Sequence, residues 1–298
     1  MICIKEYDGK ELIIMATSNC NVSCKHCYIS YSGSREPDEL LSMVRKLKCK
    51  YNININGAEN LTNLQYLQSY NEIGQTFILS NGKVFLNGNN IFKKLKENNI
   101  LSVSLSYHFG IHDELSPIKI SDLNKIIQLL KDNDIEYRFL TTITATNYKM
   151  IPSMCKKTVE LGAKGIKFTN FLYQGNAKYL DKALVLNSEQ LTEFFRLLLE
   201  ERKKYKKEEL LIERCGTFGK NFLTDKDNFY CDCITDSIVL TPDNNIYPCV
   251  FLAEPGNEIG RYDNEKILLY ENLKNNHTKC MAQENCNIKI KKLTKGEF

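Results

Sequence analysis

The chain has 298 residues, 43% hydrophobic and 26% charged, with twelve cysteines, no tryptophan and a net charge of +4. That is enough apolar material for a substantial core, in one large domain or two modest ones. The net charge, with acids scattered among the basic residues, is too weak to argue for nucleic acid, and no nucleic-acid partner is expected. No run approaches the roughly 20 apolar residues of a membrane span, and residues 1–10 lack the apolar centre of a signal peptide. A cytoplasmic protein with no membrane partner is expected, and there clustered cysteines point to metal before disulfides.

Apolar runs recur at roughly thirty-residue intervals, the length of successive strand–helix units. The first is Leu12-Ile13-Ile14-Met15-Ala16, which reads as a buried strand. Pro37-Asp38-Glu39 reads as a helix start, with Leu40, Leu41, Val44 and Leu47 marking the apolar face. Strands are expected at 52–56, running into Gly57-Ala58-Glu59, and at 77–79, ending at Ser80-Asn81-Gly82. A helix over 91–98 leads to a strand over 101–105. Ser121 is then expected to cap a helix carrying Leu123, Ile126, Ile127 and Leu130. A strand over about 135–143, a helix after Pro152 stopped by Gly162, and a strand over 165–169 complete six units. The pattern predicts an α/β protein with a parallel sheet, either an open barrel or doubly wound.

Beyond residue 176 the character changes. Asn187 with Gln190 forms a capping-box pattern ahead of a stripe of Leu191, Phe194, Phe195, Leu198 and Leu199. The mixed-charge run 200–209 reads as a solvated helix end and connection. Two short apolar runs, 238–240 and 246–247, flank Thr241-Pro242-Asp243-Asn244-Asn245 and predict a β-hairpin in which Asn tolerates positive φ. The domain division expected is 1–180 and 181–298.

The chemistry concentrates in cysteine. Cys20, Cys24 and Cys27 follow the first strand at the spacing C-x-x-x-C-x-x-C. Clusters held by cysteine usually take four protein thiolates; three suit a four-iron cluster whose remaining iron stays open to a small molecule. A zinc knuckle completed by His26, or three buried thiols without metal, are the alternatives. His108, His112 and Asp113 are a second candidate metal group, although a loop lining a cavity accounts for them more simply. Cys3, Cys49 and Cys155 lack partner spacing and read as core or surface residues.

At Cys20, Cys24, His26 and Cys27 the chain resembles the radical S-adenosylmethionine (SAM) superfamily, in which an aromatic-type residue precedes the last cysteine. The resemblance implies a partial (β/α)6 barrel and a [4Fe-4S] cluster on Cys20, Cys24 and Cys27, with the amine and carboxylate of SAM on the fourth iron. It implies reductive cleavage of SAM to a 5′-deoxyadenosyl radical that abstracts a substrate hydrogen, with His26 beside the cofactor. Gly57, Ala58 and Glu59 resemble the family's Gly-Gly-Glu, which holds the SAM amino group. Ala58 departs from the second glycine there, and Asn60 from the usual proline. Ser80 and Asn81, in Ser80-Asn81-Gly82, resemble its Thr-Asn-Gly turn. Ser104, in Val103-Ser104-Leu105-Ser106, stands near a serine that contacts SAM, while Ser106 replaces a frequent aspartate. Asn147 and Gln174-Gly175-Asn176-Ala177 match weaker positions.

Six cysteines occupy the last third: Cys215, Cys231, Cys233, Cys249, Cys280 and Cys286. Tyr247-Pro248-Cys249 with Gly256-Asn257-Glu258-Ile259 resembles the small twitch/SPASM extension, Asn244 standing in for its glycine and His277 and Ile290 at two of its cysteine positions. This implies one auxiliary [4Fe-4S] cluster on Cys233, Cys249, Cys280 and Cys286. Cys231, two residues from Cys233 and on the same face if the segment is a strand, is a substitute ligand, and structural zinc is an alternative metal. Cys215 and Cys231 are candidate hydrogen-atom donors, further ligands or bystanders.

Proteins with this pair of patterns most often modify peptides. The resemblance therefore implies maturation of a ribosomally made peptide, by thioether or carbon–carbon crosslinking, oxidation or epimerisation, under oxygen-poor conditions. The partners implied are a precursor peptide and a flavodoxin- or ferredoxin-like electron donor. The short amino terminus leaves leader recognition to the barrel mouth, the hairpin sheet or a separate leader-binding protein. Dehydrogenation of a small molecule such as an amino-sugar or cyclitol, and a non-catalytic metal-binding role, are the alternatives.

Overall fold

The computed structural model describes residues 4–88, 90–214 and 236–270. Twelve strands and seven helices are, in chain order, β1 (Ile4–Glu6), β2 (Glu11–Met15), α1 (Pro37–Leu47), β3 (Asn52–Asn56), α2 (Leu67–Glu72), β4 (Phe77–Ser80), α3 (Asn90–Glu97), β5 (Ser102–Ser106), α4 (His112–Leu115), α5 (Ile120–Asp132), β6 (Glu136–Ile143), α6 (Ile151–Leu161), β7 (Gly165–Asn170), α7 (Ser188–Lys204), β8 (Leu211–Arg214), β9 (Ser237–Leu240), β10 (Asn245–Tyr247), β11 (Gly260–Asp263) and β12 (Lys266–Tyr270).

The strands from β2 to β7 are those that the sequence predicts, and they are joined by helices and short 3-10 turns. β4, β5, β6, β7 and β8 pair in parallel in that order, and β2 pairs in parallel with β3. No ladder joins β3 to β4. Instead the Gln75 side chain occupies the edge: its Oε1 accepts from Ile55 N at 2.8 Å, and its Nε2 donates to Ile55 O at 3.0 Å and Phe77 O at 3.2 Å. One buried amide thus satisfies backbone groups that an edge strand would leave bare.

The strands expose two different faces. Along β4 to β7, Ile78, Val103, Leu105, Tyr137, Phe139, Ile166 and Phe168 are buried and pack with helix residues such as Leu95, Leu123, Ile126, Leu130, Met154 and Phe194 in one core. Residues in the alternate positions point the other way. Asn54, Ser102, Arg138, Lys167, Thr169 and Glu213 among them are only half-buried. Parallel strands covered on both faces read as continuous apolar runs. Here the inner face is polar, as the wall of a chamber is.

Several local expectations hold. Asn187 caps α7 through a capping box with Gln190. Gly162 ends α6 at φ 84°, and Asn244 takes φ 67° in the β9–β10 hairpin. Others need correction. Ser121 lies within the first turn of α5; the cap residue is Lys119, whose side chain makes no cap bond. The free Ile120 N–H donates to Asp113 Oδ1 at 3.2 Å instead, so a distant carboxylate does what Ser121 was expected to do. Glu201, inside the charge run read as solvated, is 2% exposed.

β1, β8, β11 and β12 were not expected at all. The hairpin does not stand apart as a small sheet: β9 pairs in parallel with β2, giving the order β1-β12-β11-β10-β9-β2-β3. Arg35, its side chain fully buried, fastens this junction. It donates to Thr241 O at 2.6 Å and pairs with Glu39 at 3.0 Å.

Candidate functional site

The loop after β2 carries the three cysteines and closes on itself at the neck. Thr17 bridges Ser34, Ser18 N donates to Gly33 O and Arg35 N to Ala16 O, both within 2.9 Å. Its tip is then gripped by the turns that follow four other strands.

After β3, Ala58 N donates to Thr17 O at 2.9 Å and Glu59 N to Asn19 O at 3.1 Å. A side-chain carbon on Gly57 would meet Asn60 Oδ1 at 2.0 Å, so the turn is built around a glycine here. After β4, Asn81 Nδ2 reaches Asn21 Oδ1 at 2.9 Å and Cys20 Sγ at 3.5 Å, and Lys83 Nζ donates to Asn21 O at 3.1 Å. Beyond β5, Leu115 O accepts from Lys25 N at 2.9 Å and from His26 Nδ1 at 3.2 Å. After β7, Asn176 donates from its backbone to Cys27 O at 2.8 Å and from its side chain to Cys24 O at 3.1 Å. Gly175 lies so close that a Cβ would come within 2.4 Å of Cys27 O, at φ +53°. Gly57-Ala58-Glu59, Ser80-Asn81 and Gln174-Gly175-Asn176, three separate sequence matches, therefore converge on one loop.

The thiols interact. Burial raises all three above the ordinary cysteine value, Cys24 to about 12, and the neighbouring Cys27 and Cys20 push Cys24 up further by repulsion. Such a trio favours its thiolate form only when a positive centre offsets desolvation and repulsion, which fits an iron cluster. No three His, Cys, Asp or Glu side chains among the described residues converge tightly enough to hold one metal ion. His26, the fourth ligand of the zinc alternative, has its Nδ1 on the Leu115 carbonyl.

His26 also meets His108 edge to face at 4.5 Å, and His108 stacks on His112 at 5.2 Å. His108 Nδ1 accepts from Thr142 N and His112 Nδ1 from His108 N, each at 3.1 Å. Burial drives all three imidazoles towards the neutral form, His112 to about 4 and His108 well below its ordinary value. With Asp113 capping α5, the three imidazoles pack together beside the cysteine loop.

Glu59 is fully buried, and desolvation pushes its carboxyl up to about 7 against the hydrogen bonds that it accepts. Oε2 accepts from Asn81 N at 2.7 Å and Ser80 Oγ at 3.2 Å, whereas Oε1 has no partner. A buried, half-satisfied carboxylate beside the cysteine loop is a receptor for a cationic donor.

Two other predicted cofactor residues are occupied otherwise. Asn147 donates to Phe109 O and Thr142 O and accepts from Thr144 N, so its amide is spent on backbone. Ser104 accepts from Arg138 Nε at 2.7 Å, on the inner face below the rim. Cys249 is half-buried just after β10, and Phe251, two residues on, packs on Tyr28 at 4.7 Å, which ties the hairpin to the cysteine loop. Cys215, Cys231, Cys233, Cys280 and Cys286 lie outside the described residues, as do Cys3, His277 and Ile290. Sequence reasoning missed Lys83, Leu115 and the inner-face charges. Polar residues at alternate positions in Asn52-Ile53-Asn54-Ile55-Asn56 and in Ser102-Val103-Ser104-Leu105-Ser106 were the available signal.

No family model matches the chain. An uncharacterized protein of Methanocaldococcus jannaschii is 25% identical over 181 residues, 54% of this chain and 63% of that one. Among solved structures, Streptococcus suis SuiB bound to its precursor peptide SuiA superposes with a TM-score of 0.66 at 14% identity, over 87% of this chain and 63% of SuiB. anSMEcpe with bound AdoMet gives 0.61 at 21% identity, over 84% of this chain and 77% of that one. The same protein with AdoMet and the Cp18Cys peptide gives 0.60 at 20% identity. The chain thus spans somewhat less than two thirds of the M. jannaschii protein and of SuiB.

Proposed function

From the premise that the chain has the fold of the radical SAM enzymes, we propose that it is one of them and acts on a peptide. The observation that carries this reading is the convergence of four strand-end turns on the loop of Cys20, Cys24 and Cys27. Those three thiolates would hold a [4Fe-4S] cluster, and the cluster when bound supplies the electron that splits SAM.

The chain's own residues do the rest. Asn176 and Gly175 fix the carbonyls of Cys24 and Cys27 from one side, and Asn81 and Lys83 hold Cys20 and Asn21 from another. The unpartnered Oε1 of Glu59 suits the ammonium of SAM. His26, neutral and packed against His108, forms an apolar wall at the cofactor's side. The half-buried inner face receives the substrate. A peptide substrate is supported by the peptides bound to SuiB and anSMEcpe in the superposed structures.

Within this proposal Cys249 joins Cys233, Cys280 and Cys286 on one auxiliary cluster, in a carboxy-terminal part that begins near residue 181. Electrons come from a flavodoxin- or ferredoxin-like donor, and the precursor leader is held by the barrel mouth, the hairpin sheet or a separate protein. No helix among the described residues is long and apolar enough to cross a membrane.

The test is anaerobic reconstitution followed by assay of 5′-deoxyadenosine with dithionite and SAM. Native chain should produce it, and Cys20→Ala, Cys24→Ala and Cys27→Ala should each fall to background. Undiminished cleavage in the three variants would reject the assignment.

A further inference from the structure

The inner face holds a charge arrangement that the cysteine loop does not use. Arg138 on β6 donates from Nη1 to Glu213 on β8 at 2.8 Å and from Nε to Ser104 on β5, and its guanidinium lies over the Phe77 ring at 5.3 Å. It reaches two strands across because the residue beside it on β7 is Gly165, one step before the Phe139–Ile166 pairing. Lys167, two residues further along β7, faces the same way. It stands in register with Glu213 on one side and Leu140 on the other.

Lys167 is half-buried, yet its ammonium has no ion pair or hydrogen bond among the described residues. Its obvious partner, Glu213, is engaged by Arg138. Among the described residues, Arg138 and Lys167 thus both border Glu213, the first by ion pair and the second by strand register. An ammonium on this inner wall that makes no ion pair among the described residues is open to an anionic ligand, to which it would donate a charge-assisted hydrogen bond. It lies three residues below the end of β7, about 10 Å at the rise of a strand, which is beneath the rim that the cysteine loop covers.

We propose that Lys167 binds a carboxylate of the substrate, with the Arg138–Glu213 pair and Ser104 setting the floor on which that group rests. This rests on reading the inner face as the substrate chamber, and it narrows the substrate to one that presents an acidic group inward. An internal Glu or Asp and a free carboxy terminus carry the same chemistry.

The test uses the reconstituted full chain with SAM and three probes. These are acetyl-Gly-Gly-Glu-Gly-Gly-amide, its Gln analogue, and the Gln peptide with a free terminal carboxylate. Lysines are reductively methylated with a carbon-13 label, which keeps their charge, and the Lys167 resonance is assigned by its loss in Lys167→Arg. A carboxylate peptide should shift that resonance and bind about tenfold more tightly than the neutral one, as expected for a charged hydrogen bond that is partly screened. Whichever acid does so names the source. Lys167→Gln should erase the preference, Lys167→Arg should keep it, and SAM affinity should stay within about twofold.

Equal or absent binding of all three peptides overturns the proposal, as does a preference that survives Lys167→Gln. A tenfold loss of SAM affinity in Lys167→Gln would also overturn it, by assigning the ammonium to SAM. A chain that prefers the acid yet never cleaves SAM leaves the site standing and removes the radical reading. One that cleaves SAM without any preference does the reverse.

Discussion

The two faces of the parallel strands obey different rules. On the helix side, Phe139, Phe168 and Val103 are completely buried and fit a continuous apolar core. On the inner side, Ser102, Arg138, Lys167 and Glu213 are half-exposed and stay polar in the middle of a molecule with apolar residues to spare. The contrast teaches that stability and chemistry are divided by the strand pleat: odd and even residues of one strand serve different ends. The cysteine loop is where the two meet, because its backbone is fixed by turns that issue from the stable side.

The contrast can be broken first by truncation. Phe168→Ala should cost about 3–5 kcal/mol in urea unfolding, the usual cost of a large core cavity, whereas Thr169→Ala next to it should cost under about 1 kcal/mol. Similar losses at the two neighbours would erase the distinction.

Glu59 at the rim comes next. Its carboxyl is raised from 4.5 to about 7, so the unfolded chain ionises before the folded one and stability is lost as pH rises between those values. Above pH 7 the full penalty is present, on the order of 3 kcal/mol at 1.36 kcal/mol per unit. The buried histidines His108 and His112 act oppositely, because their folded values are lowered and stability falls as pH drops below their ordinary 6.5. The informative quantity is therefore the difference between native chain and Glu59→Gln, both metal-free. That difference should grow in favour of the variant from pH 4.5 to 7 and then level off; a flat difference would remove Glu59 from the site's electrostatics.

Gly175→Ala should cost about 1–2 kcal/mol, since both the positive φ and the approach to Cys27 O oppose a side chain. Iron retained per reconstituted chain should drop with it. The smallest effect is expected at Arg138→Gln. The ion pair with Glu213 is partly open to water, and exposed pairs contribute up to about 1 kcal/mol. A loss several times larger would mean that this wall is structural rather than held for a ligand.

Much of this was legible in the sequence because it is local. The capping box at Asn187, the left-handed stop at Gly162 and the turn at Asn244 depend on a few consecutive residues. The three strand-end motifs could be placed one by one, but not their meeting on the cysteine loop, which depends on contacts up to 152 positions apart, as between Asn176 and Cys24. Nor could Gln75 be read as the seal of the β3 edge, or Asp113 as the cap of α5, since each acts on a distant backbone group. The strands β1 and β8 are short and of mixed composition, with no periodicity to announce them. The neighbourhood of Lys167 and Glu213 is set by strand register and is not visible along the chain.

The central claim is that Cys20, Cys24 and Cys27 leave one iron of a cluster for a small molecule. Electron paramagnetic resonance of the dithionite-reduced, reconstituted chain tests it directly, using SAM labelled with nitrogen-15 at its amine. The account predicts that SAM changes the cluster signal and that the labelled nitrogen shows hyperfine coupling to it, with both lost in Cys24→Ala. A cluster signal indifferent to SAM, with no coupling to the amine, would contradict it.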